Sequence, residues 1–367
     1  MFTTVKTLNS YIPISGIKND IAIAKAIGII LMVIGHAGCP NFTRQFIYMF
    51  HMPLFFFLAG YCFKEKYLSN SKDFILRKFK GLWMPFVLIS LLFLFLHNLF
   101  FNLGLIEEGL YSIQEIFDRS KSIIISLHKE EPIIGGFWFI PQLFWGSLIS
   151  FMFLKFCNRY YSLVLSITFA ILFYYMKIYI PYTAISWMSF YASSFFIIGN
   201  IFANINLNRI YNWGYALISL IIVLTASILI PDDIFVSQGW KILPYLFVAI
   251  CGCIFTLNVS RLITLKNNTF VKTLVFIGSK TMWVLTLHLL AFKLLTLLII
   301  YIKGDSIANL RVTPIYNEYS NNGGWIIYSI LGVLIPIGGA LIVTYINDMR
   351  QSQKERNDKK PIANCNV

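Results

Sequence analysis

Residues 20–37 read DIAIAKAIGIILMVIGHA, an apolar run that contains one lysine and ends next to a histidine. A helix needs about 20 apolar residues to span the hydrocarbon core of a bilayer, so this run predicts a membrane helix over residues 20–38. A second histidine follows in the next apolar run, FHMPLFFFLAG at 50–60. Histidine is costly to place in hydrocarbon, and its imidazole exchanges a proton near neutral pH. Two such histidines on successive predicted helices indicate a reaction centre inside a membrane.

The composition predicts an all-α, polytopic membrane helix bundle. Of the 367 residues, 57% are hydrophobic and 13% are charged, and the mean hydropathy is +0.70. So few polar residues do not cover the surface of a water-soluble protein. We expect one integral-membrane domain over residues 1–349 and a polar tail over 350–367, with no appended soluble domain. Ten apolar runs are predicted membrane helices: about 20–38, 44–63, 81–102, 136–154, 160–179, 183–204, 211–230, 241–260, 273–301 and 324–346.

The distribution of basic residues predicts the orientation of this bundle. Lysine and arginine are enriched in the cytoplasmic loops of membrane proteins. With the N-terminus inside, 19 of the 30 lysines and arginines fall in inner segments, 8 in outer segments and three within helices. We therefore expect both termini, including the tail, to be cytoplasmic. The net charge of +14 fits contact with anionic membrane lipid, and no nucleic-acid-binding motif accompanies it.

The cysteines indicate no metal site. They lie mostly within or beside apolar runs, and the spacing of Cys251 and Cys253 fits neither a zinc motif nor a thioredoxin-like motif. We interpret them as small hydrophobic residues. The sequence also contains no nucleophile elbow, phosphate-binding loop or HExxH motif. The candidate reactive groups are therefore the histidines and lysines of the apolar runs.

The spacing of Lys25 and His36 places both on one face of the first predicted helix. Eleven residues make almost three turns and separate the two side chains by about 16 Å along the helix axis. Counting from each point of entry also puts His51, His97 and His288 in the outer half of the bilayer, at the depth of His36.

Three of these histidines have a structural alternative. His36 can cap a helix or form a hydrogen bond at the membrane interface, and His51 can brace the bend expected near Pro53. His97 can serve as a hydrogen-bonding residue between helices. Lys293 lies within an apolar run, where a lysine must find a partner or water.

A basic segment precedes the third predicted helix, with the sequence KDFILRKFK at 72–80. It is either a topology signal or an anion site in which Arg77, Lys78 and Lys80 surround the N-terminus of a helix, where the helix dipole favours phosphate. Trp138 begins the fourth predicted helix, as an interfacial aromatic anchor or a substrate contact.

Five segments together resemble the integral-membrane acyltransferase-3 family, and most nearly its fucose-4-O-acetylase-like and polysaccharide O-acyltransferase members. They are residues 20–36, 50–60, 77–80, 137–144 and 278–288, and they occur in the family's order. The resemblance implies transfer of an acyl group, usually acetyl from acetyl-CoA, from cytoplasmic acyl-CoA to a hydroxyl of a surface or exported glycan or of a lipid-linked sugar. It further implies a bacterial cytoplasmic (inner) membrane and a role in modifying the cell envelope.

The resemblance also implies roles for single residues. The family's essential first-helix histidine matches His36, which takes the sugar hydroxyl's proton as general base or carries the acyl group itself. Lys25 stands where the family commonly has arginine, and the family's arginine pair is only half kept, as Arg77 with Lys80. The full set of expected site residues is His36 and His51 for catalysis, Lys25, Arg77, Lys78 and Lys80 for acetyl-CoA, and His288 and Trp138 in support.

Two other functions fit the same composition. The chain is alternatively a glycan exporter or flippase whose histidines line a polar path through the membrane. A third reading is a structural membrane partner of a glycan-synthesis complex.

Overall fold

The computed structural model describes residues 16–128, 131–178, 180–205, 212–235, 239–266 and 268–358, and within these ranges the chain is helical without β-strands. Helices satisfy their own backbone hydrogen bonds, which hydrocarbon cannot do. The helices are, in chain order, α1 Gly16–His36, α2 Asn41–Tyr48, α3 His51–Tyr61, α4 Lys66–Ser69, α5 Ser71–Phe95, α6 His97–Asn102, α7 Ile113–Lys121, α8 Pro132–Phe156, α9 Arg159–Tyr175, α10 Trp187–Ala203, α11 Trp213–Leu229, α12 Gly239–Thr264, α13 Thr269–Ser279, α14 Thr281–Lys303, α15 Ala308–Val312, α16 Asn317–Tyr319 and α17 Trp325–Asp358.

The predicted membrane helix bundle is confirmed. Six of the described segments are long and apolar enough to cross a bilayer: Asn19–His36 within α1, then α5, α8, α12 and α14, and finally Asn317–Gln351, which includes most of α17. Helices α9, α10 and α11 have 17 residues each, at the lower limit for a membrane span. The count of ten spans and the cytoplasmic position of both termini stay predictions.

The second predicted helix, 44–63, is not continuous. It breaks between α2 and α3, where Phe50 has the non-helical angles φ −150° and ψ −15°. Pro53 explains the break, because a proline has no N–H and its ring clashes with the carbonyl four residues earlier, at Met49. His51 is consequently the first residue of α3 and does not lie two turns into a longer helix.

Other predicted boundaries also move. The run 81–102 divides at Leu96, so that His97 begins the short helix α6. The long run 273–301 divides at Lys280 into α13 and α14. The predicted polar tail begins within α17, which extends to residue 358, and residues 359–367 lie outside the described ranges.

Glycines allow the helices that carry the first histidines to pack backbone against backbone. A Cβ atom on Gly60 of α3 would lie 1.7 Å from the carbonyl oxygen of Phe196 in α10, and one on Gly199 of α10 would lie 2.0 Å from the oxygen of Phe57. Gly278 makes the same kind of contact between α13 and α1. Small residues at such crossings are typical of helix packing in membranes. These contacts fix α3 against α10 and α1 against α13.

Candidate active site

A large cavity of about 500 Å³ lies at the Lys25 end of α1. Its walls come from α1, α3, α5, α8 and α14 and are mostly apolar. Three basic side chains and one thiol are part of the lining: Lys25, Arg77, Lys78 and Cys62. This end of the bundle is therefore suited to a ligand that has both an apolar part and negative charge.

A smaller cavity of about 120 Å³ lies at the His36 end of α1. Its polar lining residues are His36, Tyr48, His51, Trp138 and Asp233. The small cavity contains several hydrogen-bonding groups in a volume sufficient for one small part of a ligand.

The two cavities are adjacent. Met32 of α1, Met52 of α3 and Leu285 of α14 line both of them and form the boundary between them. The face of α1 that carries Lys25, Met32 and His36 thus follows the large cavity, the boundary and the small cavity in turn. The basic residues and the imidazoles therefore lie on opposite sides of one shared boundary.

His36 and His288 form a direct pair. Nδ1 of His36 lies 3.1 Å from Nε2 of His288, and the two rings are nearly parallel, with centroids 5.2 Å apart. His36 is half-buried, whereas His288 has no exposed surface. Nδ1 of His288 donates to the carbonyl oxygens of Val284 and Leu285, each 3.1 Å away on its own helix.

His51 contributes a second imidazole to the small cavity from α3. Its Nδ1 donates to the carbonyl oxygen of Ile47 at 2.9 Å, across the break between α2 and α3. Its ring lies 5.1 Å from that of Tyr48, which lines the same cavity. The break at Pro53 therefore sets the position of this histidine.

The predicted acetyl-CoA residues are only partly brought together. The Lys78 ammonium lies 5.4 Å from the ring centre of Phe74 and lines the large cavity with Lys25 and Arg77. Arg77 also forms an ion pair with Asp73, at 3.0 Å. Lys80 is exposed and does not belong to the described lining of this cavity.

A family comparison identifies the fold that carries these cavities. The family model described as an acyltransferase domain, of the acyltransferase-3 type, matches residues 18–344. The chain belongs to the acyltransferase-3 family. No curated protein and no solved structure matches the chain. The match confirms the resemblance of the five sequence segments, and it makes this integral membrane protein an acyltransferase whose family domain includes both cavities.

His97 lies apart from the two cavities of this acyltransferase. Its Nδ1 is 3.0 Å from a carboxylate oxygen of Glu131, its Nε2 donates to the carbonyl of Gly109 at 2.9 Å, and its ring stacks on Tyr111. Burial raises the pKa of the Glu131 carboxyl, and the hydrogen bond with His97 opposes that rise. These contacts match the structural alternative for His97, which ties the loop after α6 to the start of α8.

Lys293 has the partner that its position requires. Its ammonium donates to the carbonyl of Leu310 at 2.6 Å and joins α14 to the segment after it. It also lines a third cavity of about 200 Å³, together with Glu107, Glu108 and Arg311.

Three residues of the cavities were not anticipated from the sequence. Asp233 and Tyr48 line the small cavity, and Cys62 is exposed to the large one instead of being packed as a small hydrophobic residue. The acidic pair Asp232–Asp233 is unusual in so apolar a chain and could have marked a functional site. Its charge alone, however, does not show which residues it lies beside. Among the described residues, no group of three or more histidine, cysteine or acidic side chains is placed to hold a metal ion.

Proposed function

We propose that this acyltransferase transfers an acetyl or other short acyl group from the corresponding cytoplasmic acyl-CoA to a hydroxyl of a surface or exported glycan, or of a lipid-linked sugar. The observation that carries the proposal is the shared boundary of a cavity with basic residues and a cavity with imidazoles. The proposed site of action is the cytoplasmic membrane of a bacterial cell.

The large cavity suits the donor. Its volume of about 500 Å³ falls within the range typical of small-molecule sites, roughly 300–1,000 Å³. Coenzyme A carries several phosphate charges, which Lys25, Arg77 and Lys78 would offset. Lysine binds phosphate as a point charge without the planar fork of arginine, so two lysines suffice for attraction but give less geometric control. The apolar walls would hold the pantetheine arm as it extends towards Met32.

His36 is the proposed general base. Its imidazole takes the proton of the acceptor hydroxyl as the hydroxyl oxygen attacks the thioester carbonyl, and the carbon–sulfur bond then breaks. The departing thiolate receives that proton from His36, which regenerates the neutral imidazole and leaves free coenzyme A. In the second route, the acyl group passes first to His36 and then to the sugar.

The small cavity suits the reacting part of the acceptor. Because Nδ1 of His51 donates to Ile47, the other ring nitrogen of a neutral His51 accepts a hydrogen bond and would orient a hydroxyl. Trp138 lines the same cavity. Its indole N–H is the proposed partner of the thioester oxygen as charge develops on it.

The test is acetyl transfer by the purified full-length protein in liposomes, with labelled acetyl-CoA and a glycan extract of the source cells. We expect His36→Ala to lower transfer by about 10²- to 10⁴-fold, the usual contribution of a general base. His128→Ala is the matched control, because His128 is exposed and lines neither cavity. Full transfer by the His36 variant would refute the assignment, and movement of the glycan across the bilayer without acetylation would favour the exporter.

A further inference from the structure

The hydrogen bonds of His288 determine which nitrogen of His36 carries a proton. We infer that His288 is a positioning residue, which holds His36 as the tautomer protonated on Nδ1 and so leaves Nε2 of His36 free to act as the base. The inference rests on the proposed function for its catalytic meaning, but the tautomer itself follows from contacts within the protein.

Two backbone carbonyl groups fix the tautomer of His288. A carbonyl oxygen accepts hydrogen bonds and cannot donate them, so the contacts with Val284 and Leu285 require a proton on Nδ1 of His288. A neutral imidazole carries a single N–H, so Nε2 of His288 has a lone pair and accepts. Nδ1 of His36, 3.1 Å away, must then be the donor.

The neutral form of both rings follows from their surroundings. His288 is fully buried, and a buried imidazolium is costly without a counter-ion. In the part of the chain that the structure describes, the hydrogen-bond partners of the two rings are each other and the two carbonyl groups. A carboxylate, which orients the histidine in serine-type triads, is replaced here by a second imidazole.

His36 is the member of the histidine pair that lies at the small cavity, where the proposed reaction takes place. His36 lines the small cavity, whereas His288 lies behind it and is not part of that lining. With Nδ1 occupied by His288, Nε2 is the remaining nitrogen of the ring and the one that carries the lone pair. When it takes a proton, the resulting charge is shared through the Nδ1–H bond with His288, whose own N–H points at two carbonyl dipoles.

Packing holds His288 in place. Phe292 meets its ring edge-on, with centroids 5.8 Å apart. Gly136 at the start of α8 lies so close that an added Cβ would be 3.8 Å from the His288 ring and 2.7 Å from Leu285. The ring therefore has little freedom to turn away from the two carbonyl groups and from His36.

Two substitutions separate positioning from packing. Glutamine places an amide oxygen near the position of Nε2 and can accept from His36, whereas leucine fills similar space without an acceptor. We expect His288→Leu to lower kcat by about 10- to 100-fold, the value of one hydrogen bond to a group that becomes charged, with little change in KM for acetyl-CoA. His288→Gln should recover most of the loss. Thr286→Val, two residues away on the same helix with its hydroxyl bonded to the carbonyl of Met282, should not change kcat.

The decisive measurement is the nitrogen-15 NMR spectrum of the full-length protein labelled at histidine, with His36 assigned by its loss in His36→Gln. We expect a protonated Nδ1 and a bare Nε2 on His36 in the wild type, and a mixture of tautomers in His288→Leu. A proton on Nε2 of His36 in the wild type, or equal kcat values for the leucine and glutamine variants, would overturn the inference. If the wild type shows the expected tautomer but His36→Ala keeps full activity, the proposed function is refuted. The inference that His288 sets the tautomer of His36 then still stands.

Discussion

Met32→Trp tests whether the acyl group must pass the boundary between the two cavities. Met32 is 2% exposed and lines both cavities, so a larger side chain there adds bulk to the boundary between the basic residues and His36. Lys25 lies seven residues away, about 10 Å along the helix, and its contact with the donor should be unaffected. The substitution should therefore lower kcat without a comparable change in KM for acetyl-CoA.

The magnitude follows from the geometry. Displacing a reacting group by about 1 Å can cost about 10²-fold in rate, and we expect a tryptophan at the boundary to displace the proposed thioester by about that much. We expect kcat to fall by about 100-fold, while KM for acetyl-CoA stays within roughly 3-fold of the wild-type value. The extra bulk should also cost about 1–3 kcal/mol of stability.

The assay is initial-rate acetyl transfer in liposomes, together with thermal unfolding of the same preparations in detergent. Met188→Trp is the matched control, because Met188 on α10 is 4% exposed and lines neither cavity. It should lose a similar amount of stability and keep its kcat. A wild-type kcat in Met32→Trp, or an equal loss of kcat in both variants, would refute the passage of the acyl group at this boundary.

Three further predictions concern the donor cavity and the outlying histidine. Lys78→Ala should raise KM for acetyl-CoA by about 10-fold, as expected for losing one charge-assisted contact. Lys80→Ala removes the same charge outside the cavity lining and should leave KM unchanged. Equal effects of the two variants in steady-state kinetics would contradict the placement of acetyl-CoA beside Lys78. In a variant that retains Cys62 as its sole cysteine, acetyl-CoA should slow maleimide labelling of that thiol, and a labelling rate independent of the donor would place acetyl-CoA elsewhere. Glu131→Ala should lower the stability by about 1–3 kcal/mol, because it leaves the buried Nδ1 of His97 without its partner, and an unchanged midpoint of thermal unfolding would show that the pair contributes nothing.

Periodicity and hydropathy predicted the helices well because they are local properties. The face of α1 that carries Lys25 and His36 depends on residues of one helix, and the structure places both beside the cavities. A bend near Pro53 was also expected, since proline removes the hydrogen bond that would continue the helix, but the run 44–63 was predicted as one helix and its break before His51 was missed. Long apolar runs conceal such breaks because their hydropathy does not change across them.

Contacts between distant segments were beyond the sequence. His36 and His288 are 252 residues apart, and their meeting depends on how α14 packs against α1. Asp233 reaches the small cavity from a loop, where no periodicity predicts the direction of a side chain. For Lys80 the sequence predicted a contact that the structure does not show. The spacing of the basic motif placed Lys80 with Arg77, but Lys80 is not part of the described cavity lining.

The central claim is that the acyl group enters from the cavity with basic residues and is transferred at His36 on the far side of the boundary. Sealed liposomes with the protein in one known orientation test this directly, with labelled acetyl-CoA outside and surface polysaccharide fragments of the source cells enclosed. The wild type should acetylate the enclosed glycan when acetyl-CoA meets the Lys25 end of α1, and His36→Ala should not. Labelling that requires donor and glycan on the same side of the bilayer, or that persists without His36, would contradict the claim.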